Sequence, residues 1–102
     1  MATLYISEFR NIGTIRTEQA QVLAQPAITD QTVAIGATTE PSAAFNAETK
    51  LVLLCADAIC SIKFGSTEVL SAAAITNMRL PADTPIPFAV SPGHFVSVIA
   101  NT

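Results

Sequence analysis

The chain has 102 residues, half of them hydrophobic and only 13% charged, with a net charge of −3. That length makes one domain, able to fold alone by burying somewhat over ~60% of its unfolded surface. Its five cations, Arg10, Arg16, Lys50, Lys63 and Arg79, are scattered, and no apolar run nears the ~18 residues of a membrane span, so neither nucleic acid nor a membrane is expected as a partner.

The N-terminal MATLYISEF lacks the basic and apolar regions of a signal peptide, so the expected compartment is the cytoplasm. Thr3 to Phe9 alternates weakly, with Leu4 and Ile6 on one side and Tyr5 on the other. Arg10-Asn11-Ile12-Gly13 reads as a turn, and Thr17 to Ala24 as a helical turn or two, or as extended chain, stopped by Pro26. Residues 1–30 are therefore expected to form an extended N-terminal arm with at most one short strand. It either reaches onto a neighbouring subunit or packs loosely as a tail.

Residues 31–102 carry β signals throughout. Gln31 to Ile35 alternates Thr32 and Ala34 against Val33 and Ile35, and Gly36 ends it. Ser42 to Phe45 is a short strand anchored by Phe45, and Asn46-Ala47-Glu48-Thr49 is a polar turn. The clearest stretch follows, Lys50 to Gly65, which reads as a hairpin turning at Ala56-Asp57-Ala58-Ile59. With Cys55 opposite Cys60, the side chains of Leu51, Leu53, Cys55, Cys60, Ile62 and Phe64 fall on one core-facing side. A cross-strand disulfide is geometrically feasible there. In a reducing cytosol, two small apolar core residues is the better reading.

Ser66 to Asn77 is a longer connection that fits either a short helix around Ala72 to Ile75 or a loop lying flat on the sheet. Met78 to Leu80 is a brief strand ended by Pro81, and Pro81 to Pro85 is a turn cluster. Pro87 marks Ile86 to Val90 as an edge strand or bulge, because proline cannot donate to a ladder. Ser91-Pro92-Gly93-His94 fits a type II turn. Phe95 to Ala100 is apolar on both faces, as in a strand buried inside a sandwich or at a subunit contact. Closely spaced strands with turns between them predict an all-β fold, a small antiparallel β-sandwich or jelly-roll-like barrel following the arm. With so little charge against the ~25% of typical soluble domains, a subunit buried in an assembly is expected rather than a monomer.

Catalytic chemistry finds no support. His94, the single histidine, sits in a turn without an acidic partner or nucleophile. The eight carboxylates, Glu8, Glu18, Asp30, Glu40, Glu48, Asp57, Glu68 and Asp83, read as isolated and loop-solvated, with Asp57 and Asp83 as turn residues. Two thiols and one distant histidine do not make a four-ligand metal site. No catalytic, cofactor-binding or metal-binding residue is assigned, and no enzyme is expected.

The segments MATLYISEF, SAAFNAETKLVLLCADAICSIKFG and FVSVIANT together resemble a group of small structural proteins of tailed bacteriophages, encoded beside capsid and head genes. The likeness covers Thr32 to Thr102 and the first few residues. It is carried most specifically by Asp57-Ala58-Ile59-Cys60-Ser61 with Phe64-Gly65, by Arg79-Leu80-Pro81-Ala82, and by Val98-Ile99-Ala100-Asn101; Glu68 to Asn77 departs from the pattern. The resemblance implies a virion component assembled in the host cytoplasm. The implied role is capsid decoration or cement, in contact with the major capsid protein or other virion proteins, and homo-oligomeric with a trimer favoured. A head–tail or tail component, or a host-receptor (glycan) binding module presenting its turns, is the alternative.

Overall fold

The computed structural model describes residues 2–10, 12–15, 18–23 and 27–101, with the backbone alone for 12–15 and 18–23. Among the described residues ten strands follow in chain order: β1 Ala2–Phe9, β2 Ile12–Ile15, β3 Glu18–Leu23, β4 Thr29–Ile35, β5 Glu40–Pro41, β6 Leu51–Ala56, β7 Cys60–Gly65, β8 Met78–Leu80, β9 Ile86–Ala89 and β10 Phe95–Ala100. Eight of them form two four-stranded antiparallel sheets, ordered β4-β1-β6-β9 and β5-β10-β7-β8, and β2 pairs only with β3. The sheets pack face to face as a small β-sandwich, as expected. Between them lies a core built from Leu4, Ile6, Val33, Ile35, Val52, Leu54, Cys60, Ile62, Leu80, Val96 and Val98, with Phe45 closing one end.

Residues 1–30 depart from the expected arm. β1 is a central strand with β4 on one side and β6 on the other, and Leu4 and Ile6 are fully buried. Alternation in this strand was weak because its inner face ends in Glu8 and its outer face holds Tyr5 rather than a charge. The turn expected at 10–13 gives way to a two-stranded ribbon, β2–β3, irregular between Ile12 and Thr14, and of the two arrangements expected after Thr17 the extended one is found, as β3. Pro26 lies outside the described residues.

The central hairpin is not formed. β6 and β7 belong to different sheets. A strand has two edges, and β6 fills both, pairing Leu4 to Phe9 on one side and Ile86 to Ala89 on the other. β7 is likewise filled by β10 and β8. The Asp57–Ile59 link is thus a corner between sheets, held because the Asp57 carboxylate accepts from the Thr3 amide at 2.6 Å while the Asp57 amide donates to the Thr3 carbonyl at 3.2 Å. Crossing at this corner inverts the expected face of β6: Val52, Leu54 and Ala56 point inward, and Leu51, Leu53 and Cys55 point outward. The expected β7 face holds, with Cys60 and Ile62 buried and Phe64 packed at the core's edge. Cys55 and Cys60 therefore face different ways, and both are free thiols.

The remaining elements are closer to expectation. β4 buries Val33 and Ile35, and β8 is a three-residue edge strand on β7. Pro87 lies on β9, which pairs with β6 alone and is an edge. Gly93 takes a φ of +79°, and His94 donates its amide to the Ser91 carbonyl at 3.2 Å, closing the expected turn. Ser42 to Phe45 is not a regular strand. It runs beside the start of β10 through Ser42 to Val96 and Phe45 to His94 backbone bonds of 2.7 and 2.8 Å.

Candidate functional site

Glu8 contradicts the expectation that every carboxylate is solvated in a loop. It lies on the inner face of β1, opposite Val52, and is buried. Its Oε1 accepts from the Asn46 amide at 2.8 Å and the Thr49 hydroxyl at 2.7 Å, and its Oε2 accepts from Gln31 Nε2 at 3.0 Å. The Gln31 side chain passes the connection on, since its Oε1 accepts from the Ala43 amide at 2.9 Å. One carboxylate thus ties β1, β4 and the 43–49 segment together, satisfying donors that the end of the core would otherwise strand. This is a fixing point for the 43–49 loop on the two strands. Arg10 and Glu48 pair nearby at the surface.

The other expected polar residues stay apart. Asp30, Glu40, Asp57, Glu68 and Asp83 are exposed on separate elements, and the side chain of Glu18 lies outside the described residues. Asp83 has a φ of +57°, the left-handed backbone that aspartate tolerates in turns. His94 borders a shallow recess with Phe64, Ala89, Val90 and Ser91. Among the described residues, no three His, Cys, Asp or Glu side chains gather as metal ligands. Burial pushes the Cys60 thiol up to about 11.

The surfaces are more informative. Ser66 to Asn77 forms no helix but lies as a loop over the outward face of the β5-β10-β7-β8 sheet, one of the two expected arrangements. It is fastened through serines that the alternation of β7 and β10 turns outward. The Ser71 hydroxyl donates to the Glu68 carbonyl at 3.0 Å, so its 2.9 Å bond with Ser97 has Ser97 as donor. Ser61 donates to the Ile75 carbonyl at 3.3 Å, and Asn101 Nδ2 donates to both Ser61 Oγ and Ile75 O. Thr39 accepts the Ala73 amide at 2.8 Å. Gly65 is required by this seating, because a Cβ there would meet the backbone of Leu70 and Ser71 at 2.6–2.8 Å. The fastened loop leaves Val69, Leu70 and Ile75 exposed.

The opposite broad face, the outward side of β4-β1-β6-β9, is closed at one end, where Phe9 beside Leu51 is buried outside the core cluster, and is open around Tyr5. Leu51, Leu53 and Cys55 are half-buried beside an exposed Tyr5, with Pro87 and Ala89 completing the surface along the edge strand. Sequence reasoning placed the three β6 side chains in the core and so missed this face. The signal was present in LVLLCA, which is apolar at every position and so has a second apolar face to cover.

This architecture defines a small two-sheet β-sandwich with a loop-covered face and an open apolar one. Compared with known protein families, curated proteins and solved structures, the chain matches none.

Proposed function

We propose that this chain is a non-enzymatic structural subunit of a tailed-phage virion, a capsid decoration or cement protein that oligomerises and stabilises the head shell. The observation that carries the reading is the open face around Leu51, Leu53 and Tyr5. A sheet with one solvated face normally alternates apolar-in and polar-out, whereas this one is apolar on both sides of its central strand β6. Apolar side chains left on the outward face of a sheet in this way support an interaction site. The second support is the sequence likeness to phage head-associated proteins in the Asp57–Ser61 corner and in Phe64-Gly65. In the fold these residues carry the crossing between sheets and the seat of the 66–77 loop.

In this role the sandwich is a rigid body, and its broad faces and loops make the contacts with the shell and with neighbouring copies. The test is the composition of the particle. Virions purified by density gradient from cells carrying the parent genome are expected to contain the chain in many copies. Particles lacking it are expected to disrupt at lower temperature and to recover on addition of the purified protein. Particles that contain none of the chain, or that neither bind it nor gain stability from it, refute the proposal.

A further inference from the structure

The two broad faces of the sandwich differ in shape and in charge. The face over β5-β10-β7-β8 is raised by the fastened loop, whose Val69, Leu70 and Ile75 are 83%, 58% and 62% exposed. Lys63 and Arg79 project beside the loop from the outward positions of β7 and β8, and no acid occupies an outward position on that sheet. The face over β4-β1-β6-β9 is an open sheet surface centred on Leu53 and Tyr5. Among its outward positions there is no Lys or Arg, and Asp30 on β4 carries the one charge, with Asp57 at the adjoining corner. One side of the molecule is thus a raised apolar loop flanked by cations, and the other is a sheet face on which Tyr5, Leu53, Cys55 and Pro87 lie among the uncharged Thr3, Ser7 and Thr32, with carboxylates at its edge and corner. Glu68 is the loop's own acid, leaving the loop side with two cations against one.

We infer that the open face of the β4-β1-β6-β9 sheet receives the 66–77 loop of a second copy, so that subunits join head to tail. The contact deepens the assembly reading above and takes the oligomeric state from it. A second copy is the occupant because the chain itself carries the complementary surface, in apolar character and in sign of charge. A stable contact takes about 800 Å² from each partner, roughly a seventh of this chain's 5894 Å². One broad side of a two-layer sandwich can supply that. The contact is heterologous, joining different patches on the two copies, so it either closes into a ring or continues as a stack. A face-to-face dimer through two open sheets would gain no such pairing of opposite charges, since the outward positions of that sheet hold no Lys or Arg.

Two single substitutions test this, each placing the same charge on one surface: Leu53→Arg on the open sheet and Val69→Arg on the loop. Wild-type protein is expected to elute as an oligomer by size-exclusion chromatography with light scattering, and each variant alone as a monomer. Mixed in equal amounts, the variants are expected to give a 1:1 dimer that grows no further, through the intact loop of Leu53→Arg and the intact sheet of Val69→Arg. Tyr5→Arg, at a site already 51% exposed, repeats the sheet arm where Leu53→Arg does not fold cooperatively. A monomeric wild type, a Val69→Arg variant that still self-associates, or a mixture that stays monomeric overturns the head-to-tail contact. The measurement uses no capsid, so its failure leaves virion incorporation standing. Equally, a chain that self-associates this way but is missing from particles loses only the virion reading.

Discussion

Replacing Glu8 separates its charge from its shape. Three donors converge on this carboxylate, from Asn46, Thr49 and Gln31, at 2.7–3.0 Å, and Thr49 is fully buried. Hydrogen bonds to a charged acceptor are worth about 1.5–3 kcal/mol each, and a stranded buried donor costs about 1–3 kcal/mol. These terms overlap and do not sum. Glu8→Ala is therefore expected to cost about 3–5 kcal/mol, since it unties the 43–49 loop from β1 and β4 and leaves a space at the core's end. Glu8→Gln keeps the volume and one acceptor oxygen, but sets its NH₂ against Gln31 Nε2. Turning the Gln31 amide over only moves the conflict, because its oxygen already accepts from Ala43. The expected cost is about 1–2 kcal/mol. Urea unfolding at fixed protein concentration reads both, and a slope of about 1–3 kcal/mol/M converts the alanine loss into a midpoint shift above ~1 M. A Gln variant as stable as wild type, or an Ala variant within ~1 kcal/mol of it, would show that the network is not held by an acceptor-only group.

Three further expectations follow from single positions. Gly65→Ala forces the loop backbone away from its Cβ and is expected to cost about 1–3 kcal/mol, with faster amide exchange confined to 66–77; uniform exchange or no loss contradicts the seating. Phe64 packs at a tilt against Phe88 and Phe45, with ring centroids 5.4 and 6.5 Å away, so Phe64→Ala is expected to cost about 3 kcal/mol; a loss below ~1 kcal/mol places Phe64 outside the aromatic cluster. In a Cys55→Ser background, the Cys60 thiol, raised from 9.0 to about 11, is expected to label about 100-fold more slowly at pH 8 than a free thiol. Because the folded state holds this proton more tightly, its contribution is complete below pH 9 and is lost as pH rises from about 9 towards 11. A stability flat across that window shows that Cys60 is not buried as described.

Much of the fold was legible strand by strand. Alternation set Val33 and Ile35 on one face of their strand, Pro87 marked an edge or a bulge, and Ser91-Pro92-Gly93-His94 made its turn, because each depends on neighbours in sequence. What alternation leaves open is which strand pairs with which. Lys50 to Gly65 has the length and turn residues of a hairpin, yet Asp57 bonds Thr3, 54 residues away, and both edges of β6 are filled by distant strands. From β4 onward every connection except β7 to β8 crosses between sheets, so local pairing rules had little to act on.

The same distinction divides the surfaces. Residue order alone is enough for an all-β chain, poor in charge, with apolar runs at Leu51 to Ala56 and Phe95 to Ala100. It did not determine which side of Leu51 to Ala56 faces the core, because a run without alternation fits either register. That choice is made by long-range contacts. The Asp57 corner sends Val52, Leu54 and Ala56 inward and leaves Leu51, Leu53 and Cys55 outside. Folding also covered Phe95 to Ala100 with the chain's own 66–77 loop, through serines and a glycine that are unremarked in sequence. Glu8 is the same case in polar form. A lone carboxylate in a strand reads as solvated until folding brings Asn46, Thr49 and Gln31 around it from elements far along the chain.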